Sequence, residues 1–170
     1  MLHRQLSVFL LTLTIACGAV HLAAQDADQP IVSPATGAKF AAIPNAPDCF
    51  TIAVEKGDPT KGASVILAKF APGCVAPFHW HTPSETAMIV SGSLETQMKG
   101  DKAFVGHRGD FLFLPAHHVH RATCKGSVSC LVFLTSDAAF DVHWVDAKGK
   151  EISLEDALKA VKAPSMPAKN

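Results

Sequence analysis

The stretch Gly73-Cys74-Val75-Ala76-Pro77-Phe78-His79-Trp80-His81-Thr82-Pro83-Ser84-Glu85, closed by Gly92, places two histidines and a carboxylate within seven residues. A second run, Gly109-Asp110-Phe111-Leu112-Phe113-Leu114-Pro115, leads on to a further histidine, His120. In a strand, side chains two apart share a face, so His79 and His81 point the same way with Trp80 opposite. Thr82-Pro83-Ser84 reads as a turn that brings Glu85 back toward the pair. His120 lies on a later strand and reaches them through the fold. Any one of these histidines alone reads most simply as a surface or hydrogen-bonded residue. As a set on an interior face they would be costly unless something satisfies them, and a metal is the economical explanation. Three imidazoles and one carboxylate suit a single divalent Fe, Mn, Ni, Cu or Zn ion.

Around these runs the chain alternates between short apolar stretches and turns. The pattern predicts strands over 50–54, 64–70, 86–90, 93–98, 103–105, 111–114, 118–123, 130–134 and 140–145. They are punctuated by Gly57-Asp58-Pro59, Ala71-Pro72-Gly73, Ser91-Gly92, Lys99-Gly100-Asp101 and Lys125-Gly126. Strands of this length and spacing indicate an all-β antiparallel sandwich or barrel. One short helix follows. Ser153 and Asp156 make a capping box, Leu154, Ala157, Leu158 and Val161 form an apolar stripe, and Pro164 ends it. Phe111-Leu112-Phe113-Leu114 is apolar on both faces: either both pack inside a sandwich, or one meets a partner subunit in a homodimer.

Length and composition bound the rest. The chain has 170 residues, enough for one domain of ordinary size. Its 15 basic and 15 acidic residues cancel and form no run of either sign. That argues against a nucleic-acid partner and against a polybasic membrane patch. Residues 1–24 read as a signal peptide: Arg4, an apolar stretch from Leu6 to Ala16, then Leu22-Ala23-Ala24 before the cut. An uncut anchor and lipid attachment at Cys17 are the alternatives, the latter lacking the usual Leu three residues before the Cys. Residues 25–48, rich in Ala, Pro and Asp, read as a flexible lead-in that drapes over the domain. Residues 49–152 are the barrel and 153–170 the helix and tail.

Export implies a periplasmic or secreted, oxidising location. The mature chain keeps Cys49, Cys74, Cys124 and Cys130, enough for two disulfides. Cys124 and Cys130 flank a hairpin loop, where facing residues sit at bridging distance. Cys49 with Cys74 is the remaining pair. Buried free thiols are the alternative, and Cys124 shares parity with His120, so a thiol facing the cavity competes with the disulfide.

The two histidine-bearing runs resemble the two motifs of the cupin superfamily. Gly73, His79, His81, Glu85 and Gly92 occupy every fixed position of the first motif; Gly109, Pro115 and His120 match the second. His117 stands where Gly is usual and Cys124 where Asn is usual. A side chain at 117 requires a different turn or an unusual backbone angle. The resemblance covers roughly residues 60 to 145. It implies a small cupin-type jelly-roll β-barrel with His79, His81, Glu85 and His120 as metal ligands.

Cupins with this ligand set include dioxygenases, oxalate-degrading enzymes, isomerases, lyases and plain binding modules, so fold does not choose among them. The first expectation is an exported, oxygenase-type metalloenzyme acting on a small oxygenated organic molecule. Glu85 would serve as general base if it swings off the metal, and His118 as acid–base group or orienter at the cavity mouth. A non-catalytic metal or ligand binder is the alternative, and predicts a closed or tiny cavity. A metal-assisted lyase or isomerase is the third reading, and needs a proton shuttle from His118 or Cys124. Phe78, Ile89, Phe111, Phe113 and Leu131 are the candidate apolar wall. Arg121 falls opposite His120, which disfavours a small dianion such as oxalate.

Overall fold

A computed structural model describes residues 30–162. The expected signal segment at 1–24, with Cys17, and Pro164 with the tail lie outside the described residues. The strands are β1 (Phe50–Gly57), β2 (Ser64–Phe70), β3 (Val75–Trp80), β4 (Glu85–Ser91), β5 (Ser93–Met98), β6 (Phe104–Gly106), β7 (Phe111–Leu114), β8 (His120–Lys125), β9 (Cys130–Ser136) and β10 (His143–Trp144). Helix α1 (Leu154–Lys162) follows.

They form two five-stranded antiparallel sheets, ordered β1-β2-β9-β4-β7 and β10-β3-β8-β5-β6. Strand alternation sends one face of each sheet inward. Ile66, Ala68, Val132, Leu134, Ala87 and Ile89 come from the first sheet and Ala76, Leu94, Ala122 and Cys124 from the second. Together they make one core between the sheets, the arrangement the alternating pattern dictates. At the capping box of α1, the Ser153 hydroxyl accepts from the Asp156 amide at 3.1 Å and donates to its carboxylate at 2.9 Å. Ala157 is the residue of that helix buried against the domain.

One glycine is needed for shape. Gly92 has φ +82°, and a Cβ there would lie 2.8 Å from the Cys130 Cα, so the β4–β5 turn can pass β9 only without a side chain. At 117, where glycine would be at ease, His117 itself takes φ +60°. The unusual backbone angle that the motif departure required is therefore what the chain adopts. The amide of His117 donates to the His81 carbonyl at 2.8 Å, so this turn is tied directly to the first motif.

Both cysteine pairs are joined: Cys124 with Cys130, Cα atoms 5.6 Å apart, and Cys49 with Cys74, 5.5 Å apart. The thiol alternative at Cys124 is thereby removed. The first bridge closes the β8–β9 hairpin. The second ties the start of β1 to the residue before β3.

Strand β7 resolves the doubly apolar run. Leu112 and Leu114 turn inward, whereas Phe111 and Phe113 are 61% and 56% exposed on the outer face of an edge strand. Phe111 pairs with Met88 of β4, and Met88 with Phe133 of β9, so the three form one exposed apolar row.

Candidate metal centre and cavity

The site begins with a fault in strand pairing. Against β8, Ala76 pairs with Ala122 and His79 with His120, so β3 carries one residue more than its partner. This β-bulge falls at Pro77-Phe78, where proline has no amide to withhold from the ladder. The extra residue flips the parity of the strand. Ala76 and His79 then both face inward, and Phe78 and Trp80 face out. The bulge also presents the Pro77 carbonyl to the His79 ring, 2.6 Å from Nδ1.

All three histidines are held in this way. The Nδ1 of His81 lies 2.5 Å from the Asp141 carbonyl, and that of His120 lies 2.9 Å from the His118 carbonyl. A carbonyl only accepts, so each Nδ1 carries the proton and each Nε2 is left with a free lone pair. The ligand atoms of His79, His81 and His120 lie within 4.8 Å of one another. Glu85, at the start of β4, adds its Oε2 3.3 Å from His81 Nε2 and 3.9 Å from His120 Nε2. Backbone carbonyls holding the outer nitrogens of imidazoles that converge on one point is the arrangement that orients metal-binding histidines.

Burial sets the charges. It pushes His79 well below its usual range, with repulsion from His120 and His81 adding to it. Burial lowers His81 and His120 to about 4 and raises Glu85 to about 7. At neutral pH the cluster is therefore three neutral acceptors beside a carboxyl that burial has made reluctant to ionise. A divalent cation satisfies every member at once, so the residues present fit such an ion.

The cluster lines a cavity of about 450 Å³. Its wall is drawn from both sheets and from two loops, and is largely apolar: Leu112, Leu114, Phe50, Phe70, Phe140 and Trp144 all contribute. Residues 43–47 of the lead-in form part of it. Trp144 Nε1 donates to the Asn45 carbonyl at 3.0 Å while its indole packs on the His79 ring, 4.9 Å between centroids. One side chain thus ties that segment to the metal cluster.

Several expected positions are corrected. None of Phe78, Ile89, Phe111, Phe113 and Leu131 lines the cavity. On β7 the inward pair is Leu112 and Leu114, because strand parity allows only one of the two sets inside. Phe78 faces outward with Trp80 and lies beneath Arg121, 5.2 Å from ring centroid to guanidinium carbon. His118 has an exposed side chain and does not line the cavity; its carbonyl holds His120. Sequence reasoning also missed Asp141 and Trp144, which buttress His81 and His79 from a loop and a two-residue strand. The Asp141-Val142-His143 spacing was visible, but nothing local tied it to the first motif.

Asp141 and His143 lie 3.2 Å apart, with Glu151 3.3 Å from the other ring nitrogen and Trp80 stacked flat on the imidazole at 3.8 Å. Burial alone would lower His143, but its hydrogen bonds to Glu151 and Asp141 outweigh this and raise it.

Residues 66–136 match the family model described as a cupin domain. Comparison with curated proteins gave no match. Among solved structures, the chain is similar to the polyketide cyclase RemF from Streptomyces resistomycificus. The identity is 16% and the TM-score 0.65, over 80% of this chain and 95% of that one. An RmlC-like cupin from Shewanella frigidimarina matches at 19% identity and TM-score 0.51, over 63% of this chain and 88% of that one. KdgF from a Halomonas species matches at 19% identity and TM-score 0.51, over 61% and 92%. At these identities the likeness is one of fold.

Proposed function

We infer that this chain, whose residues 66–136 match a cupin domain, is an exported metal-dependent enzyme of oxygenase type acting on a small oxygenated organic molecule. His79, His81, Glu85 and His120 would hold one divalent transition ion. The observation that carries this reading is the convergence of three Nε2 lone pairs beside Glu85 at the wall of a substrate-sized cavity. Bound there, the ion supplies Lewis acidity toward a chelating oxygen and, when redox-active, electrons to dioxygen.

The chain's own residues do the remainder. Three carbonyl-anchored imidazoles fix the ion's position. The apolar wall excludes water around it. Glu85, beside the cluster, would take a proton from a substrate hydroxyl when its carboxylate swings off the ion. His118 positions His120 through its carbonyl. A closed or tiny cavity, which the pure binding reading requires, is not what these residues form. The lyase or isomerase reading remains the alternative; with His118 exposed and Cys124 in a disulfide, its proton shuttle would be Glu85.

Two disulfides support export to an oxidising compartment, periplasmic or secreted, with residues 1–24 as the leader, 25–48 as the lead-in, 49–152 as the barrel and 153–170 as helix and tail. The exposed row Phe111, Met88 and Phe133 beside the open edge of β7 supports a homodimer through that face.

The test is metal analysis of the mature protein, prepared without affinity-tag histidines, beside His79→Ala and Glu85→Ala. Near-stoichiometric Fe, Mn, Ni or Cu that is lost in the variants, followed by oxygen uptake with diols or enols, supports the reading. Stoichiometric Zn without oxygen uptake moves the assignment to a lyase, isomerase or binder. No metal after reloading overturns it.

A further inference from the structure

The three strands that carry the candidate ligands share a second pattern. Two residues beyond Glu85 on β4 stands Ala87, and two beyond His120 on β8 stands Ala122. Residues two apart on a strand share a face, so both alanines point inward beside the cluster. On β3, Ala76 faces inward on the other side of the bulge from His79, and it pairs directly with Ala122. All three alanines line the cavity. One layer further along β4 and β8, Ile89 and Cys124 are fully buried and lie outside its wall, so the space ends there on those strands. Protein interiors are otherwise filled to the density of organic crystals. Three methyl groups beside an open space of about 450 Å³ therefore mark room kept next to the cluster. The volume is that of an ordinary small-molecule site, roughly 300–1,000 Å³.

The chemistry of the wall says what that room suits. Among the described residues, no lysine or arginine lines it. A carboxylate, sulfonate or phosphate inside would lose its hydration with no cationic side chain to replace it. Of the polar side chains outside the cluster, Asn45 and Thr60 are exposed residues bonded to the Val142 carbonyl and the Asp58 carboxylate, and Asp141 accepts from Thr82. The Thr96 hydroxyl oxygen is fully buried and does not open onto the space. Around the alanines the wall is hydrocarbon: Leu112 and Leu134 flank Ala87 in the sheet, and Ile66, Phe70 and Val132 continue it.

We propose that the cavity takes a small molecule without fixed charge, whose adjacent oxygens meet the histidine cluster and whose apolar body lies on Ala76, Ala87 and Ala122. The oxygen-binding end rests on the metal reading above; the size and apolar character of the body rest on the wall alone. The three alanines determine specificity, because their small size admits a body that extends beyond the chelating oxygens.

The experiment is calorimetric titration of wild type, Ala87→Leu and Ala122→Leu, each metal-free and zinc-loaded. The probes are catechol, a dihydroxynaphthalene with adjacent hydroxyls, and the same naphthalene carrying a sulfonate on its far ring. Wild type should bind the naphthalene at least roughly tenfold more tightly than catechol, since each further carbon buried in an apolar pocket adds affinity. The sulfonate should bind at least tenfold more weakly than its parent. Each leucine variant should lose at least tenfold in naphthalene affinity while keeping its zinc affinity, read by chelator competition, because the leucine fills the space and leaves the ligands in place. Circular dichroism confirms the fold of each variant; should a leucine not be accommodated, the other variant and the wild-type ranking decide. The proposal is overturned if wild type binds catechol as tightly as the naphthalene, if the sulfonate matches its parent, or if the folded leucine variants keep the preference. Should the protein take up no zinc while the preference and its loss in the variants persist, the metal reading falls and the cavity assignment stands. Zinc uptake without the preference gives the reverse.

Discussion

Asp141 grips two successive residues of the first motif: its carbonyl takes the Nδ1–H of His81 at 2.5 Å, while its carboxylate takes the Thr82 amide at 2.7 Å and hydroxyl at 2.6 Å. Burial alone would raise the Asp141 carboxyl, but these hydrogen bonds and that of His143 hold it low and ionised. Truncating Asp141 leaves the carbonyl but frees the loop that aims it. Asp141→Ala should weaken zinc binding about 10- to 100-fold, the usual effect of losing a group behind a metal ligand. Competition titration against a chromogenic chelator measures it, with circular dichroism confirming the fold. Unchanged affinity would show that the sheet alone orients His81.

The titration of Glu85 gives a second expectation. Its carboxyl in the folded metal-free protein sits at about 7, above the ordinary 4.5. The folded state therefore favours the protonated acid, and this contribution is lost as pH rises through about 7. The histidines run the other way: lowered to about 4, they cost stability as pH falls from 6.5 toward that value. An ion takes the carboxylate and neutral imidazoles, so it relieves the cost that grows with pH. The rise in Tm on adding zinc should be larger at pH 7.5 than at pH 5.5. Zinc binding near pH 6 should release a proton, seen as a buffer-dependent enthalpy, and Glu85→Gln should abolish that release.

The two disulfides should be unequal. Their separations of 25 and 6 residues give loop-entropy contributions of about 3.5 kcal/mol for Cys49–Cys74 and about 2.4 kcal/mol for Cys124–Cys130. Replacing Cys49 and Cys74 by Ser should thus lower unfolding free energy more than replacing Cys124 and Cys130 by Ala. Urea denaturation of the two double variants provides the comparison, and the opposite ranking would place native-state packing above chain entropy here.

His117 occupies a left-handed backbone angle that costs a side-chain-bearing residue about 1–2 kcal/mol. Its ring lies 4.8 Å from that of Trp80, a modest exposed contact. His117→Gly should raise stability by about 1 kcal/mol, read from urea midpoints, without changing zinc affinity. A loss of stability would mean that the Trp80 contact outweighs the strain.

The strands were legible because alternation survives in a half-buried sheet: β2, β5 and β7 begin and end where the pattern put them. The histidine cluster was legible because its spacing is short and its donors are polar in apolar company. Phe78 was misassigned although parity counted from His79 sets it outside with Trp80; the bulge reverses the face only relative to Ala76. Parity could not decide between Phe111 with Phe113 and Leu112 with Leu114: Phe and Leu are equally apolar, so hydrophobicity could not say which pair goes in. Asp141, Trp144 and the 43–47 segment were out of reach because their roles depend on pairings separated by some 60 to 99 residues.

The two tryptophans of the chain end up on opposite sides of one sheet. Trp144 lies against His79 within the cavity wall, and Trp80 lies outside, stacked on His143. Emission from the first would be quenched by a paramagnetic ion or an absorbing guest, while emission from the second would follow the charge of an imidazole at the surface. Trp144→Phe and Trp80→Phe separate the two signals. The molecule therefore carries built-in, independently addressable light sources: one reports what enters the interior and the other what the solvent does to the exterior.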